Sequence, residues 1–180
     1  MVRPDGYYWK RPKGPVVEDV KKGAHYARVL HIDEEVSSAG NAILVIYIDF
    51  DDPDPQTMHF IDEYRDDIRF DRKWPKSGTI YVKLKDQDGD FTRAYKDFIF
   101  YIEKSNSMVT DWSLGPEQFY GKRIGVVYGR VFNAYQGKVT SDVHFRWFCN
   151  IKDVDKVAEP ADFITSSYKC LMEGNSEYKD

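Results

Sequence analysis

Residues 120–151 constrain the fold of this chain more than any other stretch, because they predict two long strands joined by a turn at 134–138. In the second strand, alternate residues differ in character from position 143 to 151. Such alternation is typical of a half-buried antiparallel strand. It predicts an inner face of Val143, Phe145, Trp147, Cys149 and Ile151, and an outer face of His144, Arg146, Phe148 and Asn150. The outer set is basic and aromatic, which a merely solvated surface does not require.

The first strand of this hairpin contains two glycines among apolar residues. Ile124, Val126, Tyr128, Arg130 and Phe132 share one face, and Gly125 and Gly129 lie on the other. Glycine inside a strand weakens it and indicates a bulge, a coiled sheet or the close approach of another backbone. All three remain open from the sequence.

Composition limits the class of protein. With 180 residues, of which 42% are hydrophobic, the chain is expected to form one domain with a real core. The formal net charge of -4 gives no overall positive field, but Lys and Arg are concentrated in residues 1–23 and Asp and Glu in residues 33–71. A basic patch within a mildly acidic protein is compatible with a polyanionic partner.

Targeting and redox signals are few. Cys149 and Cys170 have no metal-ligand spacing, and Cys149 is expected to be a buried thiol in a reducing compartment. No signal peptide is visible, and the longest apolar run, residues 42–48, is too short to cross a membrane. The expectation is a soluble protein without membrane contact.

Element order predicts a mainly β fold. Strands are expected at 24–33, 42–50 and 78–85, a further short strand is possible at 58–64, and a helical period covers 91–106 before the hairpin. This order is that of an OB-fold-like β-barrel, a five-stranded Greek key with one helix between strands three and four. We therefore predict an extended basic and aromatic arm at 1–23, the barrel at 24–156, and either a tail or a short docked helix at 157–180.

Catalytic signatures are missing from the sequence. No phosphate-binding loop, dinucleotide fingerprint, zinc-protease helix or nucleophile elbow occurs. Residues 86–90 fit a plain turn better than a calcium loop. The acidic cluster Asp49, Asp51, Asp52 and Asp54 is either a metal site of the kind nucleases use or a solvated loop at a sheet edge. We expect no enzyme activity, no cofactor and no metal.

Basic residues alternate with aromatic ones at several places. Single-stranded nucleic acid binds to such surfaces because each base stacks on a ring for about 1–3 kcal/mol while cations follow the phosphates. Cation–π packing among the same side chains is the alternative. The predicted binding residues are Tyr81, Lys83, Tyr128, Arg130, His144, Arg146 and Phe148, with Trp74, Tyr8, Trp9, Lys10 and Arg11 as peripheral contacts.

One helix carries a resemblance to a known family. The pattern K-x-F-x-x-x-I-E-x-S appears at Lys96, Phe98, Ile102, Glu103 and Ser105, and Gly121 with Lys122 leads into the last two strands. Over about residues 24–151 the chain resembles a family of short, uncharacterised proteins of phages and prophages of Gram-positive bacteria. That family is associated with replication and recombination modules, and the resemblance implies single-stranded DNA binding in the host cytoplasm.

The expected function is therefore single-stranded DNA binding in a phage replication or recombination module, without catalysis. Recombination or replication proteins and a second copy of the chain are further candidate partners, and the choice between DNA and RNA is open. One alternative is a protein–protein interaction module that binds a recombinase or host factor. The other is a metal-dependent nuclease built on the acidic cluster.

Overall fold

The computed structural model describes residues 20–52 and 59–174. Most of the predicted arm therefore lies outside the described residues, as do its candidates Tyr8, Trp9, Lys10 and Arg11, and so does Asp54 of the acidic cluster. The described chain is mainly β, as the sequence predicted. Its elements are β1 (Gly23–Val36), β2 (Ala42–Phe50), α1 (Phe60–Asp66), β3 (Thr79–Lys83), α2 (Arg93–Asn106), β4 (Arg123–Tyr135), β5 (Lys138–Cys149), β6 (Phe163–Ile164) and α3 (Ser166–Met172).

Five of the six strands form one antiparallel sheet in the order β3-β2-β1-β4-β5, and the short β6 pairs with β4 in parallel. The long strand β1 pairs with β4 through Gly23 to Arg28 and with β2 through Ala27 to Val36. No ladder joins β3 to β5 in the described ranges, so the sheet is open there. The closed barrel that the element order predicted is not found.

Most element predictions are confirmed with small changes in their bounds. Strand β2 covers the predicted residues, and α2 begins at Arg93 because the Thr92 side chain accepts a hydrogen bond from the backbone N–H of Tyr95. The possible strand at 58–64 is wrong, since Phe60–Asp66 is a helix. Of the two readings of the C-terminal region, a short helix is present, and Tyr168 of α3 packs on Phe132 of β4.

The hairpin of β4 and β5 closes on a two-residue turn. Tyr135 lies opposite Lys138, and Gln136 and Gly137 both have positive φ, 49° and 73°. Two consecutive residues with positive φ form the type of turn whose twist matches that of the flanking strands, and glycine adopts it without strain. The predicted turn is confirmed.

A β-bulge in β5 changes which side chains face the core. Val127 pairs with Trp147 and Tyr128 with Phe145, so Arg146 is an extra residue without a partner of its own on β4. Beyond the bulge the alternation is reversed. Phe148 is only 2% exposed inside the core, whereas Trp147 is 40% exposed. The prediction that Trp147 faces inward and Phe148 outward is therefore wrong.

The main core lies between one face of the sheet and α2. Phe98 and Ile102 of α2 are fully buried there, and Phe98 packs its ring against Phe119 and Phe148. A second, smaller cluster lies on the opposite face of the sheet, where Val127 and Cys149 are covered by Ile151 and Val154 of a 3-10 turn (Ile151–Lys156). Cys149 is a buried free thiol, as predicted, but it belongs to this second cluster.

Both strand glycines are explained by close packing. A Cβ on Gly125 would lie 2.9 Å from the Cys149 carbonyl oxygen, and one on Gly129 would lie 2.9 Å from Pro160. Of the three options that the sequence left open, the close approach of another backbone is found at Gly125, whereas the groups that approach Gly129 are the side chains of Pro160 and Arg146. The bulge is also present, although its extra residue belongs to β5. Among the described helices, none has the length and apolar character that a membrane crossing needs.

Candidate nucleic-acid interface

The outer face of β3 presents the two predicted residues that are most accessible. Tyr81 is 68% exposed, and Lys83 is exposed two residues further along the same strand. Across the ladder to β2, Tyr81 lies opposite Val45 and Thr79 lies opposite Tyr47. A ligand that stacks on Tyr81 would therefore lie next to the outward side chains of β2.

Two further rings continue this face across β2 and β1. Tyr47 pairs with His31 of β1, and their ring centroids are 6.0 Å apart. His31 is in turn 5.1 Å from the Tyr120 ring. We call the outward side chains His31, Tyr47, Tyr81 and Lys83 the ring face.

Sequence reasoning missed His31 and Tyr47 for identifiable reasons. Simple alternation places His25 and His31 on one side of β1, but the register shifts between Val29 and His31. His25 is consequently buried and His31 exposed. In β2, residues on both faces are apolar up to Tyr47, so alternation gives no signal of an outer face there.

The ring face carries both signs of charge. His31 Nε2 is 2.7 Å from a carboxylate oxygen of Asp33, and Glu35 is exposed on the same strand. Partial burial, with Asp33 close by, raises the pKa of the Tyr47 hydroxyl, which therefore stays protonated at neutral pH. Lys83 adds an exposed positive charge to this face.

The predicted residues of β4 and β5 are largely engaged within the protein. Arg130 donates a hydrogen bond to the Ser141 hydroxyl at 2.8 Å. The Arg146 guanidinium lies 4.5 Å from the centroid of the Phe163 ring and 5.8 Å from that of Trp147. This is the cation–π packing that the sequence left open as the alternative to nucleic-acid contact.

The segment at residues 159–162, which contains the acidic residues Glu159 and Asp162, runs beside the outer face of β4 and β5. Lys22 Nζ is 2.8 Å from Glu159 and 3.7 Å from Asp162, and these contacts raise the pKa of Lys22. Pro160 packs on Gly129 of β4. His144 of β5, which is half-buried, lies opposite Gly129 in the ladder. The outer face of β4 and β5 is therefore covered in part by the chain itself.

Three other predicted residues have structural positions. Tyr128 is fully buried, and its hydroxyl donates a hydrogen bond to the Ser77 carbonyl at 2.5 Å; burial raises its pKa. Trp74 is half-buried and donates from Nε1 to the Ile48 carbonyl at 3.0 Å. Phe148 packs against Phe98 and Phe145 in the core. The outward positions expected for Tyr128 and Phe148 are thus wrong.

Sheet order separates the predicted residues into two groups. Tyr81 and Lys83 lie on β3, at one end of the strand order, and Arg130, His144 and Arg146 lie on β4 and β5, at the other end. Only the first group joins a surface of exposed rings. In the second group, Arg146 lies against Phe163 of the segment that follows β5, and Arg130 is hydrogen-bonded to Ser141 of β5.

The described acidic residues at the end of β2 and just after it, Asp49, Asp51 and Asp52, each have a separate structural partner. Asp49 accepts hydrogen bonds from the backbone N–H of Phe60 at 2.7 Å and of Ile61 at 3.2 Å, which supports the start of α1. Asp51 pairs with Arg28 at 3.0 Å and Arg123 at 2.8 Å. Asp52 contacts the buried His25 ring at 2.9 Å.

These carboxylates therefore point to different partners. In the described part of the chain, no group of three or more His, Cys, Asp and Glu side chains could hold a metal ion. The Asp86 carboxylate accepts hydrogen bonds from the backbone N–H groups of Asp88 and Asp90, an arrangement typical of a turn.

Comparison with known proteins gives no relative. No protein-family model matches the chain, and no curated protein is significantly similar to it.

Proposed function

We propose that this protein binds single-stranded DNA on the ring face, without catalysis, as part of a phage replication or recombination module in the host cytoplasm. The observation that carries the proposal is the presence of His31, Tyr47 and Tyr81 on one outward face beside Lys83. Stacking on rings and phosphate contact with a cation are the two contributions that such binding requires.

The strand pairing supports this choice of surface. β1 is shared between β2 and β4, β3 extends the sheet beyond β2, and α2 connects β3 to β4. We propose that this is an open, OB-like arrangement, with β3 and β5 at the two edges of the sheet. Proteins with that architecture bind oligonucleotides on strands two and three, and Tyr47, Tyr81 and Lys83 lie on those strands.

The test is fluorescence anisotropy of labelled oligo-dT, titrated with the protein at several salt concentrations. Tyr81→Ala is expected to weaken binding by roughly 5- to 150-fold, because one stacked base contributes about 1–3 kcal/mol. Lys83→Ala is expected to reduce the slope of log affinity against log salt concentration by the amount that corresponds to about one phosphate contact. The same titration with duplex DNA and with single-stranded RNA of equal length shows whether the protein prefers single strands to duplex and DNA to RNA.

A matched control is available on α2, where Lys104 lies 5.6 Å from the exposed Phe100 ring. Phe100→Ala with Lys104→Ala removes the same chemistry away from the ring face and is expected to leave affinity unchanged. Absence of binding to oligo-dT at low salt and micromolar protein would contradict the proposal. Equal losses in the control would show that the ring face has no special role.

A protein-interaction module is the second candidate, and one loop favours it. Val109, Trp112 and Leu114 are all exposed between α2 and the 3-10 turn at Pro116–Phe119. Exposed apolar clusters are typical of protein-binding surfaces, and their binding depends little on salt. Binding to a recombination or replication protein that is lost in Trp112→Ala but retained in Tyr81→Ala would support this candidate.

A further inference from the structure

Strand β5 presents a long unpaired edge. It has 12 residues and pairs with β4 on one side, and nothing in residues 20–52 or 59–174 pairs with its other side. Open edges carry free N–H and C=O groups and accept a further strand unless prolines, bulges or covering segments protect them. The bulge at Arg146 interrupts the second half, so the stretch from Lys138 to His144 is the regular one.

Hairpin geometry determines which residues of that stretch direct their backbone N–H and C=O groups away from β4. Tyr135 and Lys138 flank a two-residue turn, which makes them a hydrogen-bonded pair. Because such pairs alternate along an antiparallel ladder, the backbone groups of Val139, Ser141 and Val143 are directed away from β4. Only registers that place these odd-numbered residues opposite one another allow a second strand to pair here.

The charges on this edge complement those of a second, antiparallel copy. If Thr140 lies opposite Thr140 of that copy, Lys138 lies opposite Asp142 in both halves. Lys138, Thr140 and Asp142 are all exposed and share one face of β5. Within one chain, Lys138 and Asp142 are four residues apart along the strand, about 13 Å, so they do not neutralise each other.

The neighbouring registers lack this match. A shift of two residues places Lys138 opposite Thr140 or opposite His144, and a further shift places Asp142 opposite itself. Opposite charges directly across a ladder stabilise it, and like charges destabilise it. The side chain of Val139, 46% exposed, lies opposite Ser141 of the second copy in the Thr140 register and would lose contact with water on pairing.

We propose that the protein forms a homodimer in which β5 pairs antiparallel with β5 of a second copy, about a two-fold axis at Thr140. The contact extends the sheet across both chains. Symmetry requires each Lys138–Asp142 pair to occur twice. This proposal is independent of nucleic-acid binding, so each can fail without the other.

Sedimentation equilibrium of the wild type, three variants and one control tests the charge pairing. The wild type is expected to dimerise reversibly, and Lys138→Asp and Asp142→Lys are each expected to weaken the dimer by roughly tenfold, because each reversal creates two like-charge pairs. The double variant restores both opposite pairs and is expected to recover most of the affinity. Lys152→Asp, an exposed charge reversal in the 3-10 turn, is the matched control.

Cysteine cross-linking tests the axis directly. In the Cys170→Ser background, Thr140→Cys places two thiols opposite each other at a Cα separation of about 4.5 Å, within disulfide range. Asp142→Cys places its two thiols about 13 Å apart along the strands. Mild oxidation is expected to cross-link the first variant and not the second.

Three results would each overturn the proposal. These are a monomer at every concentration reached, a dimer that keeps its affinity in both single charge reversals, and equal cross-linking of the two cysteine variants. Circular dichroism of each variant shows whether it is folded. Because Lys138, Thr140, Asp142 and Lys152 are exposed and the half-buried Cys170 is replaced by the similarly sized serine, a folded variant is expected in every case.

Discussion

Cys149 illustrates how the environment of one residue sets its chemistry. The thiol lies under Val154 on the outer face of the sheet, and its sulfur approaches the backbone of Gly125. Burial, together with the nearby Asp153 carboxylate, raises the pKa of Cys149 to about 11. The thiolate is the reactive form, so this cysteine is expected to be inert at neutral pH.

Reaction with a thiol reagent at pH 8 checks this directly. The native Cys170→Ser variant is expected to react on the order of 100-fold more slowly than an unperturbed thiol, because the thiolate fraction falls with the raised pKa. In denaturant it should react at the normal rate. The raised pKa also means that ionisation of Cys149 reduces stability as pH rises from about 9 towards about 11.

The control for this experiment is the Cys149→Ala variant, which reports the half-buried Cys170 alone. Rapid modification of native Cys170→Ser at pH 8 would show that Cys149 is accessible, contrary to the structure. A rate that follows global unfolding would support burial as the cause.

At the scale of the element, the bulge in β5 determines which side chains of that strand face the core. Arg146 takes up one position without a partner on β4, and the side chains that follow it exchange faces. Phe148 thereby joins Phe98 and Phe145 in the core, while Trp147 turns toward solvent beside Arg146. A strict two-residue period would give the opposite arrangement.

Two alanine substitutions separate these arrangements. Phe148→Ala is expected to lower the free energy of unfolding by about 3–5 kcal/mol, the cost of removing a fully buried ring. Trp147→Ala is expected to lower it by about 1 kcal/mol, as is usual for a side chain that remains partly in water. Urea denaturation followed by circular dichroism measures both, and a larger loss for Trp147→Ala would contradict the bulge.

At the scale of the whole molecule, a segment that the sequence placed outside the predicted barrel packs on the sheet. After the 3-10 turn at Ile151–Lys156, Pro160 packs on Gly129, β6 pairs with β4, and Tyr168 of α3 contacts Phe132. Lys22, just before β1, pairs with Glu159 of this segment. These contacts link both ends of the described chain to the middle of the sheet.

A chain that ends after residue 156 is therefore expected to have a thermal midpoint several degrees lower than the full chain, since one kcal/mol shifts the midpoint of a domain this size by about 2–4 °C. A chain that ends after residue 174 is the control and should keep its midpoint. Equal midpoints for all three would show that residues 157–174 are peripheral, as the predicted boundary implied.

The sequence by itself determined the order of the five long strands and α2, the hairpin turn and most strand bounds, because those depend on local period and turn chemistry; it did not predict α1 or β6. Gln136 with Gly137, the β2 run and the Thr92 cap are all local signals. It also marked Gly125 and Gly129 as unusual, but it left a bulge, a coiled sheet and the close approach of another backbone open as reasons.

Alternation correctly placed Tyr81 and Lys83 outward on β3, but only the tertiary structure decided which side chains face outward beyond the irregularities in β1 and β5. The register shifts at Leu30 and Arg146 leave no local trace, yet each reverses the faces of everything beyond it. That is why His31 was missed and Phe148 was misplaced. The covering of Arg146 by Phe163 depends on contact between residues distant in sequence, which no local pattern encodes.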